Sequence, residues 1–174
     1  MKKKHVLLVT VLFLMCSGFD GGVEKPESYF NFWVGKWDLT WQDGDGKTGK
    51  GTNEIYKTLG DKVIQENFEA LEGQLKGFVG KSWSVYNPQT GEWKQTWVDN
   101  QGGYLDFIGK FEKDKKMFWR SFKDANNNEI QQRMVFYGIT KEKFTWDWER
   151  SDDQGKTWKL QWRINYERME ESTR

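Results

Sequence analysis

Phe144-Thr145-Trp146-Asp147-Trp148-Glu149-Arg150 and Lys159-Leu160-Gln161-Trp162-Arg163-Ile164-Asn165-Tyr166, joined by Ser151-Asp152-Asp153-Gln154-Gly155-Lys156-Thr157-Trp158, decide the fold. In both arms large apolar residues fall on alternate positions, the period of a strand and not of a helix. One face of the first arm carries Phe144, Trp146, Trp148 and Arg150; one face of the second carries Trp158, Leu160, Trp162, Ile164 and Tyr166. The joint is turn chemistry: Asp153 and Thr157 can hydrogen-bond turn backbone, Gly155 can take positive φ, and Trp158 can pack beneath. The unit reads as a β-hairpin.

Outward from it the pattern repeats. Strands are expected at 34–42, 50–58, 62–71, 76–87, 92–99, 103–111, 116–123, 130–138, 143–150 and 156–167. Their connections are short and polar, such as Asp43-Gly44-Asp45-Gly46, Asn87-Pro88-Gln89-Thr90-Gly91 and Lys113-Asp114-Lys115. Neighbours should therefore pair antiparallel, and nothing is long enough for a parallel crossover. Sequential strands in that number leave two open edges unless the sheet closes. The expected fold is all-β, an antiparallel up-and-down barrel of about ten strands. Trp37, Leu39 and Trp41 share a face, as do Ile64, Phe68 and Ala70, and Leu105, Phe107 and Phe111. Phe118 and Phe122 share another, but Trp119 must point the opposite way. The middle strands are thus aromatic on both sides, which calls for an exposed aromatic patch or for a loop or helix packed outside.

Composition agrees. The 174 residues include 11 Trp, 12 Phe and 6 Tyr but only two alanines, Ala70 and Ala125. Alanine is the best helix former and aromatics favour strands. With 27 Lys+Arg against 26 Asp+Glu, there is no basic excess of the kind that neutralises phosphates, so no nucleic-acid partner is expected.

Lys2, Lys3 and Lys4 precede an apolar run at 6–15, broken only by Thr10. That is too short to span a bilayer but suits the hydrophobic part of an export signal. Segment 1–18 is read as that signal, 19–28 as a tether, 29–168 as the barrel and 169–174 as a polar tail. Cys16 is either the lipid-attachment residue of a bacterial lipoprotein or part of an ordinary cleavage site. The expected location is periplasmic, anchored to the outer membrane, or secreted, with membrane contact only through a lipid on Cys16. Cleavage would remove the only His and the only Cys. A mature chain lacking both has no Ser-His-Asp or Cys-His pair, no thiolate zinc site and no imidazole for a haem iron. No metal and no cofactor are expected.

Before the first strand, Pro26-Glu27-Ser28-Tyr29-Phe30-Asn31-Phe32-Trp33 reads as a short helical plug for one barrel end. Gly35-Lys36-Trp37 follows at the start of the first strand. That placement resembles the calycin and lipocalin superfamily, in which the Trp packs across the closed end. The run Phe32-Trp33-Val34-Gly35-Lys36-Trp37-Asp38 is similar to the opening of a bacterial family of secreted lipocalin-like domains of unknown function. Later segments also look alike: Gly51-Thr52-Asn53-Glu54, Tyr86-Asn87-Pro88 with Gly91, and Trp97-Val98-Asp99. The likeness gives Gly35 and Trp37 structural roles and implies a ligand-binding barrel.

Ser151, Asp153, Gly155, Thr157 and Trp158 also match every fixed position of the Asp-box, which in sialidase-like propellers recurs once per blade. A single copy is read as a structural turn. Asp43-Gly44-Asp45-Gly46 and the loop 124–129 are read as hairpin turns rather than calcium loops. Inside the barrel, the expected pocket has walls of Trp83, Trp97, Trp119, Trp146 and Trp148, with polar groups from Gln95 and Gln132. Glu66 and Arg150 fall in register with apolar neighbours and should also point inward, as an internal pair, a stack on Trp37, or an anchor for a polar head group. The expected function is binding of a small apolar or amphipathic molecule without catalysis. The alternatives are an enzyme using carboxylate, Tyr or Arg chemistry in the same cavity, or a surface module binding carbohydrate or protein through outer aromatics.

Overall fold

A computed structural model describes residues 24–112 and 115–170. Two single 3-10 turns, Pro26–Ser28 and Asn31–Trp33, lead into ten strands: β1 (Gly35–Gln42), β2 (Thr48–Thr58), β3 (Val63–Glu72), β4 (Val79–Asn87), β5 (Glu92–Asp99), β6 (Tyr104–Glu112), β7 (Lys115–Lys123), β8 (Glu129–Tyr137), β9 (Lys143–Ser151) and β10 (Lys159–Arg168). Every strand pairs antiparallel with its sequence neighbours, and β1 pairs with β10 to close the barrel. Closure leaves no free edge.

The barrel has two unlike ends. At one, the lead-in is a plug. Phe30 is fully buried and stacks on Phe118 at 4.3 Å, with Trp93 and Phe136 edge-on to it at 5.1 and 5.8 Å. Trp93 Nε1 donates to the Pro26 carbonyl at 2.7 Å, which pins the start of the plug. Trp37 lies across this end, donates from Nε1 to the Trp33 carbonyl at 2.8 Å, and meets Phe144 edge-on at 4.8 Å. The guanidinium of Arg168 covers the Trp37 ring at 4.1 Å and bonds the carbonyls of Lys141 and Val34. Gly35 makes this approach feasible: its φ is +146°, and a Cβ there would collide with the Arg168 Nη1. An arginine does stack on Trp37, but it is Arg168 and not Arg150.

The phase of the last strand needs correction. Alternation put Trp158 and Leu160 in line with Trp162, inside the barrel. A bulge between Leu160 and Trp162 shifts the register, so Leu160 pairs with Glu149 on the outer face and is half exposed. Gln161 Nε2 bonds the carbonyls of Lys159 and Leu160, which supports the bulge. Trp158 accordingly lies outside, beneath the Arg133 guanidinium at 3.9 Å. Of the two alternatives for the outer aromatics of the middle strands, the structure shows the exposed one: Tyr104 and Trp83 are exposed, and among the described residues a basic side chain covers Trp119, with Lys110 Nζ resting 4.1 Å above its ring.

Candidate functional site

A cavity of about 200 Å³ opens at the barrel end opposite the plug. Its wall is aromatic. Trp146 and Trp148, two apart on β9, stack in parallel at 6.4 Å, and Trp162 of β10 stands edge-on to Trp146 at 5.7 Å. Phe107 of β6 meets Trp148 edge-on at 5.9 Å, and Phe78, from the β3–β4 connection, leans on Trp97 at 6.3 Å. Two of the surrounding indoles lie where glycine removes the side chain beneath them. A Cβ on Gly80 would collide with the ring of Trp97, and one on Gly49 with that of Trp41. Asp99 orients Trp97 by accepting its Nε1–H at 3.0 Å, while the N–H groups of Gln101 and Gly103 donate to the same carboxylate. Those bonds outweigh burial and hold Asp99 below the usual carboxylate range.

The floor is polar. Glu66 of β3 is nearly buried and lines the cavity together with Tyr166. Asn53 Nδ2 donates to Glu66 Oε1 at 2.6 Å and to the Tyr166 hydroxyl oxygen at 3.2 Å. Ser82 Oγ donates to Glu66 Oε2 at 2.6 Å. Gln95 Nε2 donates to Ser82 Oγ at 3.3 Å and to Ser84 Oγ at 2.9 Å. Desolvation pushes the Glu66 carboxyl up to about 7, against the lowering effect of the Ser82 and Asn53 bonds. Burial, and then the charge of Glu66, push the Tyr166 phenol well above its ordinary value. Asn53 Oδ1 and Gln95 Oε1 are buried acceptors without a partner, and Trp41 Nε1 and Trp162 Nε1 are indole donors in the same condition.

The expected site residues divide. Glu66, Trp97, Trp146 and Trp148 come together around this cavity. Gln95 stands behind the floor, where it orients the serines that serve Glu66. Gln132 pairs in register with Arg120 on one side and Arg150 on the other, along the inner face toward the open end. Arg150 is not an internal partner of Glu66; it turns to the rim and bonds Asp152 at 2.7 Å. Trp83 and Trp119 are not in the wall. Trp83 is on the outer face, exposed, with its Nε1–H on Gln65 at 3.3 Å, and Trp119 is the ring beneath Lys110. Both alternate with inward neighbours, Ser82 and Ser84 for Trp83, Phe118 and Arg120 for Trp119, so strict period-two counting from the buried serines identifies Trp83 as outward. Asn53, Ser82, Tyr166, Phe68 and Trp162 are site residues that the expected pocket omits. The signal of Asn53 and Ser82 is weak, because small polar residues on an inner face resemble solvent-facing ones until the register is known; Phe68, Trp162 and Tyr166 are on inner faces by alternation, but alternation does not say at which height of the barrel they stand.

The Asp-box is a turn in structure as well. Asp153 accepts from the Thr157 hydroxyl at 2.7 Å, the Thr157 N–H at 2.9 Å and the Ser151 hydroxyl at 2.7 Å, and these bonds hold its carboxyl far below the usual range. Gly155 takes φ +82° and its carbonyl accepts from Trp158 Nε1. Asp124 likewise serves turn backbone, accepting from the N–H groups of Asn126 and Asn128 at 2.9 Å. Cys16 and the segment 1–18 lie outside the described residues.

No family model matches the chain, and no curated protein does. Among solved structures it is similar to a redesigned β-barrel, with TM-score 0.42 and 11% identity over 80% of this chain and 94% of that one. It is also similar to a de novo designed fluorescence-activating β-barrel, at 0.42 and 12% over 82% and 98%. A third, a structure bound to DFHBI, matches at 0.42 and 12% over 83% and 100%.

Proposed function

We propose that this chain binds a small apolar or amphipathic molecule in the aromatic cavity at the open end of the barrel. The observation that carries the reading is a cavity whose walls are apolar and mostly aromatic, with Glu66 and Tyr166 at the floor and Asp99 at the rim. Apolar surface placed against such walls leaves water at a gain of about 25 cal/mol per Å², and the floor fixes which end enters first. At about 200 Å³ the space lies below the roughly 300–1,000 Å³ of drug-sized sites. It suits a single ring with a short chain, or one end of a longer molecule. The Gly35 and Trp37 arrangement supports a lipocalin-like reading of the barrel. The basic start and apolar run before Cys16 support export, with Cys16 as the lipid-bearing residue or part of a cleavage site.

Native mass spectrometry of protein purified from its own host tests the binding. A co-purified mass that is lost on denaturation is the expected result. No adduct, together with tryptophan emission unmoved by alkanols, aromatics and oligosaccharides, would overturn it. A second reading rests on Glu66, since a cavity carboxyl near 7 is poised to exchange a proton with a substrate. Recovery of the bound molecule chemically unchanged after long incubation would dispose of that reading.

A further inference from the structure

We infer that the ligand is an organic cation, an amine or quaternary ammonium on an aromatic or short aliphatic body, with its charged head at Glu66 among the indole rings. The inference rests on the binding proposed above and names the chemistry of the occupant. The charged residues that line the cavity are Glu66 and Asp99, and among the described residues no Lys or Arg lines it. The aromatic rings add to this, because a π face presents its negative quadrupole to a cation. Behind the floor, Asn53 Oδ1 and Gln95 Oε1 are acceptors without a donor, and in the wall Trp162 Nε1 is a donor without an acceptor. A full negative charge would meet the carboxyls of Glu66 and Asp99 and the ring faces with no cationic side chain lining the cavity to balance it. Arg120 does not line the cavity; its guanidinium lies over Phe122 at 4.6 Å and over the wall residue Phe107 at 5.8 Å. Asp99, at the open end of β5, puts a second carboxylate at the mouth, so the charged groups that line the cavity from mouth to floor are both acidic.

The acid at the floor also makes binding pH-dependent. Glu66 lies partly protonated near neutrality because burial disfavours its charge, and a bound cation restores the ionised form and expels the proton. Tyr166 of β10 stays neutral in this range and Asp99 of β5 stays ionised, so neither titrates alongside it. Cation affinity should rise roughly tenfold between pH 6 and pH 8, which is the change in the ionised fraction of a group near 7.

The test compares three probes on the full chain, each a benzyl group with a tetrahedral head: benzyltrimethylammonium, the neutral neopentylbenzene, and benzylsulfonate. Affinities are read at pH 8 from tryptophan emission. The ammonium should bind at least about tenfold more tightly than neopentylbenzene, and benzylsulfonate least tightly. In Glu66→Gln the ammonium should lose most of its advantage over the neutral probe, and an unchanged near-UV circular dichroism spectrum shows the variant folded. Trp148→Leu should weaken the ammonium more than the neutral probe. Equal or tighter binding of neopentylbenzene, or an ammonium preference undiminished in Glu66→Gln, overturns the cation inference and leaves the cavity reading standing. Failure of all three probes to bind overturns the cavity reading, and the inference with it.

Discussion

Glu66 lowers the stability of the fold whenever it is ionised, because its carboxylate gives up water for two hydrogen bonds inside a barrel. Its folded pKa of about 7 lies above the ordinary 4.5, so between those values the folded state holds a proton that the unfolded state has released. Stability is then greatest below about pH 4.5, falls as pH rises through 7, and levels off above. Glu66→Gln should remove that fall. Relative to the parent it gains up to about 3 kcal/mol at pH 8 and almost nothing at pH 4, measured by urea unfolding. A difference equal at both pH values would contradict the assignment. Asp153 is a carboxylate of the opposite kind, stabilised by its donors. Asp153→Ala should strip the Thr157 amide of hydrogen-exchange protection and leave the cavity tryptophans unmoved. At this scale the sequence was partly legible. Asp153, Gly155 and Thr157 state their roles because a turn is local. Glu66 could be placed inward by phase, but its partners Asn53, Ser82 and Tyr166 come from three other strands.

Among the elements, the cavity wall depends on which strand positions lack a side chain. Gly80 of β4 leaves the space that the Trp97 ring fills from β5. Gly80→Ala should displace that indole at a cost of about 1–3 kcal/mol and weaken every probe that binds the cavity. Unfolding curves and probe titration on the one variant check both halves. Eight strands were legible to within two residues because turn chemistry brackets them: β5 occupies Glu92–Asp99, as the alternation and the flanking Gly91 and Asn100 require, whereas β4 and β10 begin at Val79 and Lys159, three residues after the expected starts at 76 and 156. The phase within β10 was not. One extra residue at the bulge reverses the faces of everything before it, and period-two counting has no means of sensing such an insertion. Trp158 and Leu160 went to the wrong side for that reason alone.

Across the whole molecule, the plug and the cavity divide the barrel between them, and the same aromatic composition serves both. Phe30→Ala should cost about 3–5 kcal/mol, since it removes a ring that is fully buried between Phe118 and Trp93. It should leave probe affinity in the surviving folded protein nearly unchanged, because Phe30 is at the far end. Thermal unfolding with and without a saturating probe separates the two effects. Closure was legible from strand count and short connections. The division of labour between the ends was not, because it depends on which aromatics stack on the lead-in and which stand clear of it. The most direct measurement is an NMR titration that follows the indole N–H signals of the 11 tryptophans as a small aromatic ligand is added. The signals of Trp97, Trp146, Trp148 and Trp162 should shift in a saturable way while those of Trp83, Trp119 and Trp158 stay fixed. Shifts confined to the outer three, or none at any concentration, would contradict binding inside the barrel.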